Sequence, residues 1–260
     1  MYRLDACVAE IYDQQETATG DIDLIRRLIG AGPRLRILEP FCGTGRLLIP
    51  LALDGHTVVG LDRAEGMLAR ARAKVRALPP QARELTTLAQ SDVILEPWPK
   101  GFDLVILGGN CLYELATPEE QARTIAWAAD ALRPGGRLFL DNDHMEGELD
   151  SSWHNPPVRE DVFPTGVCAD GTRLESRWRV IWYDGPQRLI RFLRQTRISR
   201  PDGSIAEQEC IQQKHPVSAS EVAEWLASQE MAVEQILGDY EGRPYSDGSP
   251  RAIFWARRTG

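Results

Sequence analysis

Glu39, Asp62 and the Ser91–Asp92 pair each stand where an apolar run gives way to a turn. The first of them is followed by two glycines, Gly43 and Gly45. A carboxylate is acceptor-only and takes paired donors, so acids at successive strand ends suit a ligand rich in hydroxyl and amino groups. The glycines lie inside "ILEPFCGTGRLL", residues 37–48, a turn that bends sharply and lets a ligand rest against the backbone. A dinucleotide fingerprint needs a third small residue three positions after Gly45, where Leu48 stands. A P-loop needs Gly-Lys-Ser/Thr, which does not follow. Glu39 puts negative charge beside the turn, a poor neighbour for pyrophosphate and a good one for an ammonium group.

The elements that must position these residues can be read from apolar patterning. Continuous apolar runs at Leu35–Glu39, Thr57–Asp62, Leu85–Gln90, Phe102–Gly108 and Arg137–Asp141 predict parallel strands covered on both faces. Between them Ala64, Met67, Leu68, Ala71, Val75 and Leu78 keep a helical spacing. Another helix opens at Thr117 as cap, with Pro118 at its first position and Glu120 placed to complete a capping box. It ends at "RPGG" (133–136), read as a stop and turn before the next strand. Alternating strand and helix predict a doubly wound α/β sheet, whose ligand sits beyond the carboxyl ends of the strands where the order reverses.

Past residue 145 the pattern changes. Residues 146–170 are polar and read as a loop or lid, and Arg173–Tyr183, Arg188–Ser199 and Ile205–Lys214 read as an inserted antiparallel meander. A helix capped by Ser218 or Ser220 follows, then strands at Met231–Leu237 and Ala252–Ala256. The expected division is a helical lid at 1–33, a core at 34–145 and 215–260, and an insertion at 146–214.

These segments together resemble the class I S-adenosylmethionine-dependent methyltransferases. "ILEPFCGTGR" is similar to their first motif, "VVGLDRAEGML" (58–68) to the second-strand acid and its helix, and "AQSDV" (89–93) to the adenine-binding turn. "FDLVILGGNCLYEL" (102–115) and "LRPGGRLFLD" (132–141) resemble their fourth- and fifth-strand segments. The resemblance covers nearly the whole chain and implies a seven-stranded, mostly parallel Rossmann-like sheet. It implies S-adenosyl-L-methionine as cofactor and S-adenosyl-L-homocysteine as product. Glu39 would bind the amino group, and the backbone at Phe41 and Gly43, with Gly45, would line the methionine part. Asp62 would accept both ribose hydroxyls, and Arg63 and Met67 would flank the adenine. Ser91, Asp92 and Val93 would form its turn, with Asp92 accepting the exocyclic amine, and Gly109 and Asn110 would complete the site. Phe41 stands where the family has its first glycine. An N-terminal segment closing over the cofactor is usual in the family, and "AEIYDQ" (9–14) fits, with Tyr12 as the contact.

Methyl transfer from a sulfonium is an in-line displacement that rests mostly on positioning, with a base needed only if the acceptor arrives protonated. Tyr113 and His144 are the candidate catalytic residues, with Asn110 and Asp141 nearby. "DNDH" (141–144) is too thin to assign a metal. Trp153, Tyr240 and Arg243 are candidate acceptor contacts, and Trp153 and His154 would belong to a lid. The meander carries Arg173, Arg177, Arg179, Arg188, Arg191, Arg194, Arg197 and Arg200. They read as a solvated face, as recognition of an anionic acceptor, or as a homodimer contact.

Net charge is −8, which disfavours an extended nucleic-acid surface, and no apolar run approaches the roughly 20 residues of a membrane span. Five scattered cysteines (Cys7, Cys42, Cys111, Cys168, Cys210) read as reduced thiols in a cytoplasmic protein. The expected activity is transfer of a methyl group to a nitrogen or oxygen of a small metabolite. The alternatives are a non-catalytic cofactor-binding module and an NAD-dependent oxidoreductase, the latter disfavoured by Leu48 and Glu39.

Overall fold

The computed structural model describes residues 2–145 and 157–260, so Trp153 and His154 lie outside the described residues. Two helices open the chain, α1 (Tyr2–Gln15) and α2 (Gly20–Ile29). The alternating half follows: β1 (Arg36–Pro40), α3 (Leu48–Leu53), β2 (Thr57–Asp62), α4 (Glu65–Arg76), α5 (Pro80–Glu84), β3 (Thr86–Gln90), β4 (Phe102–Leu107), a 3-10 turn (Cys111–Glu114), α6 (Pro118–Ala131) and β5 (Leu132–Asp143). The meander is β6 (Gly166–Val167), β7 (Arg173–Asp184), β8 (Leu189–Ser199) and β9 (Ile205–Lys214). The chain closes with α7 (Ala219–Ser228), β10 (Met231–Leu237) and β11 (Arg251–Arg258).

A seven-stranded sheet runs in the order β10-β11-β5-β4-β1-β2-β3, parallel except for β11, which is antiparallel to both β5 and β10. Consecutive residues feed opposite faces. Leu38, Val105, Leu107, Leu138 and Leu140 pack with Ile125 of α6 and Leu226 of α7. Ile37, Leu104, Ile106 and Phe139 pack with Leu24 and Ile25 of α2 and Leu51 of α3. The strand order reverses between β1 and β4, which opens a crevice at their carboxyl ends. The expected doubly wound sheet and the antiparallel insertion are both present.

Three expectations need correction. "RPGG" does not separate α6 from a later strand, because β5 already begins at Leu132. The four residues instead break the β4–β5 register, which steps from Phe102↔Leu132 to Leu104↔Arg137. The segment 146–170 is not loop throughout, since Gly166–Val167 pairs with Arg173–Leu174 as a short edge strand. The cysteines are not all free thiols: Cys7 of α1 is disulfide-bonded to Cys168 beside the meander, 161 residues away. Spacing along the chain carries no signal for so distant a pair. The two sulfurs sit in a small apolar cluster with Ile11, Leu174 and Ile198, which joins α1 to the second sheet.

α7 is capped by Ser218 and not Ser220, through a full capping box with Glu221. Among the described residues no helix is long and apolar enough to cross a membrane.

Candidate active site

Glu39 stands one residue before the end of β1, inside the crevice. The chain then turns at once: Phe41 takes a left-handed φ of 68°, where a side chain is ordinarily strained by about 1–3 kcal/mol. Its ring is held edge-on to Trp98, with centroids 6.4 Å apart, so apolar packing offsets the strain that a glycine would avoid. Gly45 has φ 80°, and a Cβ there would meet Ile49 Cδ1 at 3.0 Å, so this position does require glycine. Gly43 N–H donates to Asp62 Oδ2 at 2.8 Å, and Ala64 N–H donates to Asp62 Oδ1 at 2.8 Å. The second-strand acid is therefore fixed by backbone on both oxygens, each with a lone pair left for a hydroxyl.

Glu39 is buried, and its Oε2 has no hydrogen-bond partner. Burial pushes its carboxyl well above the usual range; Arg46 opposes that shift, but Arg46 is held bidentate by Asp21 at 2.5 and 3.0 Å. A desolvated carboxylate in this state is costly unless a cation or donor meets it. A positive amino group fits that need. Glu39 lines a cavity of about 180 Å³ with Tyr12, Phe41, Cys42, Arg46 and Gly109.

On the far side of the crevice, Ser91 Oγ donates to Glu96 Oε2 at 2.7 Å, Asp92 Oδ1 accepts from Ile94 N–H at 3.1 Å, and Val93 is buried. Arg63 is exposed, its carbonyl accepting from Gln90 Nε2. Met67 lines a second, larger cavity.

α1 crosses the mouth of the crevice. Asp13 ties it to α4 and the glycine turn, accepting from Arg70, from Lys74 Nζ at 2.7 Å and from Thr44 Oγ1 at 2.6 Å. Burial raises the Asp13 carboxyl, but these hydrogen bonds outweigh it and the net shift is downward. Tyr12 lines the Glu39 pocket with Arg46 and meets the ring of Phe163 edge-on at 6.1 Å. Nothing in sequence spacing singled out Asp13.

The second cavity, about 680 Å³, lies between α1, the end of β4 and the inner face of the meander. It shares Tyr12, Gly109 and Glu114 with the pocket around Glu39. Glu114 was missed in the sequence because it follows a strand by a 3-10 turn that no periodicity announces. Lys214 Nζ meets Glu114 Oε1 at 2.5 Å and lies 4.5 Å from the ring centre of Tyr113. Burial pushes the Tyr113 phenol up, so it stays protonated.

Other candidates are drawn into structural work. Asn110, with φ 63°, brackets the ends of β4 and β5: its Nδ2 donates to Asp143 Oδ2 at 2.9 Å, and Asp143 N–H donates back to Asn110 Oδ1 at 3.0 Å. Asp141 is fully buried, accepting from Tyr240 Oη at 2.8 Å and Arg251 Nε at 2.6 Å. The ring of His144 packs tilted against Tyr245 with centroids 5.4 Å apart, its backbone N–H donates to the Pro250 carbonyl, and its Nδ1 is buried without a partner. Arg243 is exposed and pairs within its own loop with Asp239 and Glu241. These geometries bring Tyr12, Glu39, Phe41, Asp62, Met67 and Gly109 around the crevice, while Tyr113 lines a smaller pocket of about 100 Å³ with Trp178, Arg194 and Lys214; they leave Tyr240, Arg243 and His144 in contacts with their own neighbourhood.

A methyltransferase domain family model matches residues 38–138. A protein of Geobacillus sp. (strain WCH70) named as a methyltransferase is 24% identical over 86% of this chain and 84% of its own length. Among solved structures, the CcbJ methyltransferase from Streptomyces caelestis is 18% identical, with a TM-score of 0.74 over 97% of this chain and 96% of that one. S-adenosylmethionine-bound CalS10, an amino pentose methyltransferase from Micromonospora echinaspora, is 23% identical, with a TM-score of 0.64 over 95% and 94%. The fold is that of the Rossmann-like methyltransferases. Residues 38–138 match a methyltransferase domain, and the fold over nearly the whole chain is similar to that of S-adenosylmethionine-dependent methyltransferases, which favours the methyl-donor reading over the dehydrogenase one.

Proposed function

We propose that the enzyme methylates a nitrogen or oxygen of a small metabolite held in the larger cavity. The observation that carries this is the junction itself: Tyr12, Gly109 and Glu114 line both the pocket around Glu39 and the 680 Å³ cavity beside it. That volume suits a small organic molecule. Similarity in fold to an amino pentose methyltransferase supports a polar, amine-bearing acceptor.

When bound, S-adenosylmethionine supplies an electrophilic methyl carbon on a sulfonium. Glu39 meets the positive amino group, Asp62 accepts the ribose hydroxyls, and Asp92 accepts the adenine amine. α1, held by Asp13, acts as the lid that keeps water from the junction, and the meander with the segment Val162–Pro164 before it forms one wall of the acceptor site. Tyr113 lines a smaller adjoining pocket that shares Trp178, Arg194 and Gln212 with the larger cavity; held protonated, it would act there as a hydrogen-bond donor to the acceptor and not as a base. An amine that arrives neutral needs none. The exposed arginines of the meander leave room for a homodimer contact on its outer face.

An untargeted metabolite screen tests the reading. Incubation with S-adenosylmethionine should give a product heavier by one methylene. Cofactor binding with no product from any extract would favour a non-catalytic binding module.

A further inference from the structure

The inner face of β8 is apolar or small at Ile190, Phe192, Thr196 and Ile198, all buried. Arg194 falls in the same alternating set, where the pattern calls for another apolar residue. The other arginines of the meander are accounted for. Six are exposed, and Arg188 is tied to the carbonyls of Pro216 and Met145.

Arg194 lines the 680 Å³ cavity together with Trp178, Phe163 and Gln212. Its guanidinium donates to the Phe163 carbonyl, and its Nε is buried with no partner. Among the described residues no carboxylate lies within ion-pairing distance of it; the nearest influence is Glu114, which Lys214 already holds at 2.5 Å. Burial lowers the Arg194 pKa, in keeping with a desolvated cation that lacks its counter-charge.

We infer that Arg194 is the acceptor-recognition residue of this cavity, and that the acceptor carries a carboxylate or phosphate which the guanidinium grips opposite the methyl-donor pocket. A planar guanidinium binds either acid group through two parallel hydrogen bonds. A half-buried cation without a counter-charge gains most from such a group. The aromatic wall of Trp178 and Phe163 beside it suits a ring or an apolar body next to the acid. This inference rests on the methyl-transfer reading above and narrows its substrate class.

Benzoate, phenyl phosphate and benzylamine serve as probes, titrated by calorimetry into the protein alone and into the protein loaded with S-adenosylhomocysteine. One acid or both should bind with one-to-one stoichiometry, and which one binds separates carboxylate from phosphate. Benzylamine should not bind. Arg194→Gln should weaken acid binding about tenfold or more while leaving the affinity for S-adenosylhomocysteine unchanged, and Arg194→Lys should restore part of the loss. Tighter binding of benzylamine than of both acids, no binding of either acid, or wild-type acid affinity in Arg194→Gln would overturn the assignment. Failure to bind S-adenosylhomocysteine would instead overturn the methyl-transfer reading, and the titration of the protein alone still decides the role of Arg194.

Discussion

Asp62 holds the glycine turn through its backbone, accepting from Gly43 N–H at 2.8 Å while the neighbouring Ala64 N–H occupies the other oxygen at 2.8 Å. One carboxylate thus shapes the turn and, in the proposed reading, takes the ribose hydroxyls. Asp62→Ala should weaken S-adenosylmethionine binding at least about tenfold and lower stability by about 1–3 kcal/mol through the two orphaned N–H groups. Calorimetry and thermal melting check the two effects separately, and a wild-type affinity would remove Asp62 from the cofactor site.

Glu39→Gln should move binding and stability in opposite directions. The buried carboxylate is unpaired at Oε2 and its pKa is raised, first by burial. A group with a folded pKa above its unfolded value stabilises the fold at low pH, and that contribution is lost as pH climbs from about 4.3 through the raised value. Glutamine carries no charge to desolvate, so ligand-free Glu39→Gln should melt at or above the wild type near neutral pH. Its S-adenosylmethionine affinity should fall about tenfold or more for want of the charged partner. Melting curves between pH 5 and 8 with and without ligand decide it: a destabilised ligand-free variant contradicts the account.

Phe41 offers a test of local strain. Both Phe41→Ala and Phe41→Gly lose the ring that packs on Trp98, but only alanine keeps a Cβ at φ 68°. The glycine variant should be the more stable by about 1 kcal/mol. Equal denaturation midpoints would mean that the left-handed conformation is not maintained in solution.

How much of this could be read from residues alone follows the range of the interactions. The five parallel strands and α6 announce themselves because strand burial and helix capping are local, as Thr117 shows by accepting from Glu120 N–H at 3.3 Å. The glycine turn and Asp62 were legible for the same reason. What spacing cannot show is which distant side chains meet. Tyr240 closes on Asp141 from 99 positions away, and Cys7 reaches Cys168 across 161. Glu114 and Arg194 face the same cavity only because the meander folds back over the end of β4. Arg194 did leave a trace, an arginine on the inner face of an alternating strand, but the surrounding arginines concealed it.

The Cys7–Cys168 bond fixes α1 to the meander, so its reduction should loosen the roof of both cavities. Thiol titration of the unreduced, denatured protein should find the three remaining cysteines, Cys42, Cys111 and Cys210. Cys7→Ser should lower stability by about 2–4 kcal/mol relative to the oxidised wild type. Five titratable thiols in protein purified without reductant would show that the bond does not form.

Glu221 supplies the clearest dependence on acid. It completes the cap of α7, accepting from Ser218 N–H at 2.8 Å, and lies 3.3 Å from Nε2 of the buried His215. Burial raises its carboxyl, but hydrogen bonds from His215 and Ser218 bring it down to about 2. The folded pKa is thus below the unfolded value of about 4.3. The stabilisation is complete above that value and disappears as pH falls from about 4.3 through 2. Glu221→Gln keeps the shape of the cap without the charge and should cost about 1–2 kcal/mol at neutral pH. The gap between variant and wild type should close as the medium is acidified below pH 4. Urea denaturation at pH 7, 4 and 3 measures it, and a gap that stays constant with pH would show that the cap works through shape and not charge.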